Sequence, residues 1–357
     1  MANLELLKAS VVSPIIVTLR SRGTDVTPHL AKARLPLIMA ERQVGLVPWA
    51  SALRFLDIVA HYTGDPLFSA NCILNAGGKR PNSVASVSLV RAPTAYESIR
   101  MFVESTNAVT TGATITSTVS GNWLWILRRP NNPGNIDSWH AEQFVIATFV
   151  KAISSFLGED WRPQKLKIRQ ATLPDRIPWQ WTEADIETAN PHTAIGIKLV
   201  DIVSESKCDH EHTAPPGDWD EASLGEAVVN DSASIRSAVL HYIEHEAGHI
   251  TRVADAFGVT ERTLRRHLKT AGLSYSELVD ETRYKRALEL LKDSSLSITE
   301  LALSLGYRYP ENFTRAFRKR VGVSPNDYRK MTTKGRGQDT FSCGDASEPE
   351  IKPCGKT

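Results

Sequence analysis

The sequence predicts a multidomain protein, with an α+β N-terminal domain and an all-α C-terminal domain built from two helix-turn-helix units joined by a long helix. One stretch is written twice: Ile250-Thr-Arg-Val-Ala-Asp-Ala-Phe-Gly258 returns 48 residues later as Ile298-Thr-Glu-Leu-Ala-Leu-Ser-Leu-Gly306. A repeat of that period marks a repeated supersecondary unit. Residues before about 205 instead mix helical spacing with β-rich alternation. Between the two regions lies Cys208–Ser223, a polar stretch holding Pro215-Pro216-Gly217, which cannot bury a core.

At 357 residues the chain suits two domains, at roughly 150 residues each. With 41% hydrophobic and 23% charged residues, it falls outside the fibrous and disordered classes. The net charge of +2 is unevenly spread: residues 231–330 hold 17 Lys+Arg against 13 Asp+Glu, and the rest of the chain 25 against 27. That leaves a basic C-terminal third. The run Val11–Val17 is short, broken by Pro14, and has no signal-peptide cleavage site. No apolar stretch is long enough for a membrane span. Cys72, Cys208, Cys343 and Cys354 are scattered, as in a reducing compartment, so a cytoplasmic protein is expected.

The first 20 or so residues show no clear period. Helical spacing runs from about Pro28 to Met39 and from Trp49 to Thr63, where Leu53, Leu56, Ile58-Val59 and Tyr62 form the apolar side. Pro93–Val103 reads as a helix with proline at its start, where a missing N–H costs nothing. Ala113–Val119 and Asn122–Leu127, with Ser120-Gly121 between them, predict a hairpin. Ser138 opens an amphipathic helix to Leu157, and Gln164–Gln170 and Ala194–Val203 read as strands. From Ser232 the chain is helical to about Arg329, and the last residues read as a disordered tail.

In the first repeat, Val253, Ala254 and Phe257 form the inner face of a scaffold helix that Gly258 ends in a left-handed cap. Thr260 N-caps a second helix, Glu261–Lys269. Leu264 and Leu268 point inward there and leave Arg262, Thr263, Arg265 and Arg266 on other faces. A guanidinium pairs bidentately with guanine O6/N7. In the second repeat Leu301, Ala302 and Leu305 pack, Gly306 turns the chain, and Phe313 and Phe317 face inward. Pro310, Glu311, Thr314 and Arg315 remain for a groove, and Arg318, Lys319 and Arg320 for phosphates. The helix Tyr275–Lys292 between them, with Leu278, Tyr284, Ala287, Leu290 and Leu291 inward, is expected to hold the two reading helices about 34 Å apart, one turn of DNA.

Residues 258–269 (Gly-Val-Thr-Glu-Arg-Thr-Leu-Arg-Arg-His-Leu-Lys), Arg283-x-x-x-Ala287-x-x-Leu290-Leu291 and Ile298-x-x-x-Ala302-x-x-Leu305-Gly306-Tyr307 resemble the AraC/XylS family of bacterial transcription regulators. The closing pattern Phe313-x-Arg315-Ala316-Phe317-Arg318-x-x-x-Gly322-x-Ser324-Pro325-x-x-Tyr328-Arg329 does so too. The resemblance implies DNA base contacts from Arg262, Arg265, Arg266, Pro310, Glu311, Thr314 and Arg315. Phosphate contacts are expected from Thr260, Lys269, Arg318 and Lys319. Arg308-Tyr309-Pro310 departs from the small polar pair usual in the family after the second turn, so the first unit is expected to carry most of the specificity. More loosely, Ala92-Pro93-Thr94, the hairpin Thr114–Leu127 and Phe156-Leu-Gly158-x-x-Trp161-x-Pro163 are similar to an arabinose-binding-type sensory domain.

Other patterns admit a sharp reading and a bland one. His245-Glu246-Ala247-Gly248-His249 matches H-E-x-x-H, the pattern of a zinc hydrolase, which needs both histidines on one helix face. Gly248 falls where a helix should end, so a structural role is expected and the hydrolase is kept as the alternative. Cys208-Asp-His210-Glu-His212 has metal-binding residue types but reads as solvated linker, and Cys343 and Cys354 as tolerated tail thiols. Trp123, Trp125, Trp139 and His140 are candidates for an effector pocket, with simple core the bland alternative.

The expected organisation is an effector-sensing and dimerisation domain at 1–205, a linker at 206–231, a DNA-binding domain at 232–330 and a tail at 331–357. The expected activity is sequence-specific, effector-responsive transcription regulation, by an activator rather than an enzyme and without a cofactor or metal. The partners are double-stranded promoter DNA, RNA polymerase and a small-molecule effector that the residues do not name, with a homodimer left open and no membrane. A DNA-binding architectural protein without an effector is the third reading.

Overall fold

Leu4, Leu6 and Leu7 are buried within the first few residues of the chain, so order begins earlier than the missing periodicity suggests. The computed structural model describes residues 4–38, 45–75, 94–132, 138–202, 231–246, 248–293 and 296–335. It divides into two compact units, Met1–Leu278 and Val279–Thr357. Most of the expected linker lies outside the described residues, and so do Pro93, Cys208, His210, His212, Cys343 and Cys354.

In the first unit, β1 (Leu6–Lys8) pairs antiparallel with β2 (Leu46–Pro48). Pro14 starts α1 (Ser13–Ser21), so the residue that breaks the apolar run also opens a helix. α2 (Thr27–Ala33), α3 (Trp49–Thr63) and α4 (Phe68–Leu74) follow. Buried Cys72 lies in α4, and burial pushes its thiol up to about 11. The Thr94 side chain accepts from the Glu97 N–H at 3.2 Å and caps α5 (Ala95–Asn107).

The predicted hairpin is present as β3 (Ala113–Ser120) and β4 (Trp123–Pro130), closed by the two-residue turn Gly121-Asn122. Ser138 accepts from the Ala141 N–H at 3.3 Å to cap α6 (Trp139–Leu157). Three short strands complete the sheet: β5 (Lys165–Lys167), β6 (Asp185–Glu187) and β7 (Thr193–Lys198). The strand order is β3-β4-β7-β5-β6, with only β5 and β6 parallel. The strand expected to reach Val203 stops at Lys198 and becomes α7 (Leu199–Ile202). α6 packs Ile146, Phe149, Val150 and Ile153 against Leu124, Ile126, Leu166, Ile195 and Ile197 of the sheet. Phe102 of α5 meets Phe149 edge-on at 5.7 Å.

The chain resumes at Asp231, whose carboxylate accepts from the Ser234 N–H at 2.7 Å and caps α8 (Ser232–His245). α9 (Ile250–Ala256) and α10 (Glu261–Thr270) complete the first unit. α11 (Tyr275–Asp293) runs across the division. The second unit adds α12 (Ile298–Ser304), α13 (Pro310–Val321) and α14 (Pro325–Gly335). α14 extends into the expected tail as far as Gly335; at its start Ser324 accepts from the Asp327 N–H at 3.2 Å. Among the described residues no helix is long and apolar enough to cross a membrane.

Phe149→Ala should lower unfolding stability by about 3–5 kcal/mol in a urea titration, whereas Ala in place of exposed Val119 should change it by less than about 0.5 kcal/mol.

Candidate nucleic-acid interface

Each scaffold helix ends in a doubly hydrogen-bonded glycine cap. After α9, the Gly258 N–H donates to the Asp255 carbonyl at 3.0 Å and the Val259 N–H to the Ala254 carbonyl at 3.0 Å. After α12, Gly306 donates to Leu303 and Tyr307 to Ala302, again at 3.0 Å each. The glycines sit at φ +66° and +78°, the left-handed region that a side chain would penalise. Both are Schellman motifs, in the same register 48 residues apart. The written repeat is therefore a geometric one.

The helix after the first turn, α10, starts at Thr260, whose hydroxyl oxygen accepts from the Thr263 N–H at 3.2 Å. Glu261 in its first turn accepts from the Thr251 hydroxyl of α9 at 2.6 Å and ties the two helices together. Leu264, His267 and Leu268 are buried, while Arg262, Arg265, Arg266 and Lys269 are exposed. The exposed four fall at i, i+3, i+4 and i+7, which places them on one stripe of a helix opposite the leucines. Burial, and then the neighbouring Arg266, hold the His267 imidazole below its ordinary range, so it adds no charge at neutral pH. The Arg265 guanidinium lies 5.8 Å from the centre of the Tyr275 ring.

α13 is built differently. Pro310 opens it after Tyr309, which makes no side-chain cap. Its core is aromatic: Phe313, Phe317, Tyr307, Tyr284 and Tyr328 are linked by ring contacts of 5.6–6.1 Å. Glu311, Arg315, Arg318 and Lys319 are exposed, and Pro310 and Thr314 half-buried, with the Thr314 hydroxyl donating to the Pro310 carbonyl at 3.2 Å. Arg315 donates to Asn312 at 3.2 Å. Arg320, expected among the phosphate-facing residues, is exposed and lays its guanidinium 4.4 Å from the Tyr284 ring centre.

Sequence reasoning missed what Arg283 does. From α11 it donates to the Gly306 carbonyl at 3.3 Å and stacks on Tyr307 at 4.9 Å, so it braces the second turn. Its signal in the sequence was its fixed distance from Ala287 and Leu290-Leu291.

The H-E-x-x-H pattern is broken in the backbone. His245 is the last residue of α8, Gly248 takes φ +77°, and His249 is the N-cap of α9, so the two histidines do not share a helix face. Glu246 is buried and paired with Arg34 at 3.3 Å. The hydrolase alternative has no support here, and the structural reading of the motif holds. No cluster able to hold a metal occurs among the described residues.

The effector-pocket candidates separate. Leu124 and Ile126 join the core beneath α6, so strand alternation places Trp123 and Trp125 on the opposite face of the sheet. There Lys165 and Lys198 stack on Trp123 at 5.6 and 6.0 Å, and Lys167 on Trp125 at 5.0 Å. Trp139 packs on the core side, edge-on to Trp181 at 6.4 Å. His140, beside it, is half-buried, and burial holds its imidazole below the ordinary range.

Residues 253–331 match the family described as a helix-turn-helix domain. The ornithine utilization regulator of Pseudomonas aeruginosa is 45% identical over 69 residues, 19% of this chain and 20% of that protein. The HTH-type transcriptional regulator GadX of Escherichia coli is 30% identical over 117 residues, 32% of this chain and 41% of GadX. A crystal structure of the DNA-binding domain of AdpA in complex with a target DNA is 25% identical, with a TM-score of 0.26, over 29% of this chain and 96% of that one. The chain thus spans between a fifth and two-fifths of the length of these two curated relatives.

Gly306→Ala should cost roughly 1–2 kcal/mol, since a Cβ is disfavoured at positive φ. Ser297→Ala should cost about 1 kcal/mol by removing a cap, because Ser297 and Glu300 form a reciprocal capping box at the start of α12. Urea titration of the two variants checks both figures.

Proposed function

We propose that this chain is a sequence-specific DNA-binding transcription regulator that reads promoter DNA with α10 and α13. The observation that carries the proposal is the exposed basic stripe Arg262-Arg265-Arg266-Lys269, displayed by a scaffold helix and a Schellman turn that recur 48 residues later. A planar guanidinium fits guanine edges bidentately, and a lysine ammonium serves phosphate as a point charge. In α10 we assign base contacts to Arg262, Arg265 and Arg266, and phosphate contacts to Thr260 and Lys269. In α13 we assign base contacts to Pro310, Glu311, Thr314 and Arg315, and phosphate contacts to Arg318 and Lys319.

We further propose that residues 1–205 form the sensing and dimerisation domain, 206–231 the linker and 232–330 the DNA-binding domain. An effector that favours one conformation of the N-terminal domain would shift the population able to engage DNA and RNA polymerase. We propose activation as the chain's mode and the cytoplasm as its location. Trp139 and His140, on the core side of the sheet, are the effector candidates that stay together; Trp123 and Trp125 form a separate surface.

Arg262→Ala should relax preference at one base pair, at about 1–3 kcal/mol of lost discrimination. Lys319→Ala should weaken binding to all sequences alike and reduce the salt slope by about one. Mobility-shift titrations of both variants against matched and mismatched duplexes, at several salt concentrations, check the assignment. Wild-type affinity and preference in Arg262→Ala would remove α10 from the groove.

A further inference from the structure

The first helix-turn-helix does not stand apart from the N-terminal region. Arg34, the residue that ends α2, donates from Nε to Asp255 Oδ2 at 2.6 Å and from a guanidinium N–H to Glu246 Oε1 at 3.3 Å. In the first turns of α3, the Ser51 hydroxyl donates to the Ala256 carbonyl at 2.8 Å. Arg54 donates to the Asp255 carbonyl at 3.0 Å and reaches its carboxylate at 3.6 Å. All but the Glu246 bond converge on the C-terminal end of the scaffold helix α9; Glu246 is the C-cap of α8.

The surroundings mark this as a built contact. Ser51 is fully buried, so its hydroxyl has given up water for the carbonyl it meets. Arg34 holds φ +58° and ψ +41° because it closes α2 by a Schellman cap of its own, its N–H on the Ala31 carbonyl at 3.0 Å and the Leu35 N–H on the Leu30 carbonyl at 2.9 Å. At Gly258 a Cβ would fall 2.6 Å from the Ala50 Cβ, so the turn glycine is required by this neighbour as well as by its own φ. Glu246, left over from the H-E-x-x-H pattern, here becomes one of the two carboxylates that Arg34 grips; its side chain is only 7% exposed.

We propose that Arg34, Ser51 and Arg54 form a latch that clamps α9 to the α2–α3 pair, and that opening this latch controls how the first reading helix engages DNA. The latch touches only α8, α9 and the turn and leaves Arg262, Arg265 and Arg266 exposed, so the latched form is the one ready to bind. Both arms of the latch sit on α2 and α3, which pack against each other; α3 in turn packs on α6 of the sheet core. A ligand that displaces α3 therefore changes all the latch bonds together. The docking half needs no DNA; the control half rests on the function proposed above.

The test is a double-mutant cycle on the full chain with Arg34→Gln, Asp255→Asn and the pair. Hydrogen exchange of the Val253–Gly258 amides, without DNA, reads docking, and mobility shift reads DNA affinity. Each single variant should speed exchange of those amides and weaken DNA binding by about 5-fold or more, and the pair should be no worse than the weaker single. Ser51→Ala, which keeps every charge, should speed the same exchange even if a charge variant folds poorly. Unchanged exchange in all variants, or strictly additive effects, would overturn the latch. Faster exchange with DNA affinity unmoved would overturn its control of binding. Failure of the wild-type chain to bind any duplex would count against the proposed function and leave the exchange result standing.

Discussion

The candidate interface depends on one local constraint: a glycine at positive φ that closes each scaffold helix with two hydrogen bonds and fixes the direction of the next helix. At Gly258 and Gly306 the chain leaves the scaffold helix by the same Schellman geometry. Because that exit is set by backbone bonds, the side chains of α10 and α13 are free to diverge. They do diverge: one helix carries four basic residues on a single stripe, and the other begins Pro310-Glu311.

Each turn is also braced from outside. At the first, Ser51 takes the Ala256 carbonyl and Ala50 leaves no room for a Cβ at Gly258. At the second, Arg283 takes the Gly306 carbonyl while stacking on Tyr307. Backbone carbonyls at or just past each helix end thus become attachment points. The partner differs in kind: the N-terminal region for the first turn, and the connecting helix for the second. That difference places the first turn within reach of anything that moves α3.

Local rules wrote much of this into the sequence. The repeat, the turn glycines, the cap at Thr260 and the helix start at Ser138 each act over a few residues, so spacing alone identified them. The hairpin was legible because alternation flanks Ser120-Gly121. β6 was not, since Asp185-Ile-Glu187 is too short to show a period and exists through pairing with β5. The end of β7 at Lys198 was missed because Leu199–Ile202 is as apolar as a strand would be. The latch was also hidden: nothing near Arg34 signals a left-handed arginine, and its partners lie 212 and 221 residues away. In the candidate site the burial of Leu264 and Leu268 followed from spacing. The contact of Arg320 with Tyr284 was not legible, because only the fold brings the two together.

The most direct measurement is selection of bound duplexes from a random DNA pool by the full chain and by a chain with Arg262→Ala, Arg265→Ala and Arg266→Ala combined. The wild-type chain should enrich two blocks of unequal information, and the triple variant should lose the stronger block and retain the weaker. No enrichment by the wild-type chain, or equal loss of both blocks in the variant, would contradict two unequal reading helices set on matched glycine turns.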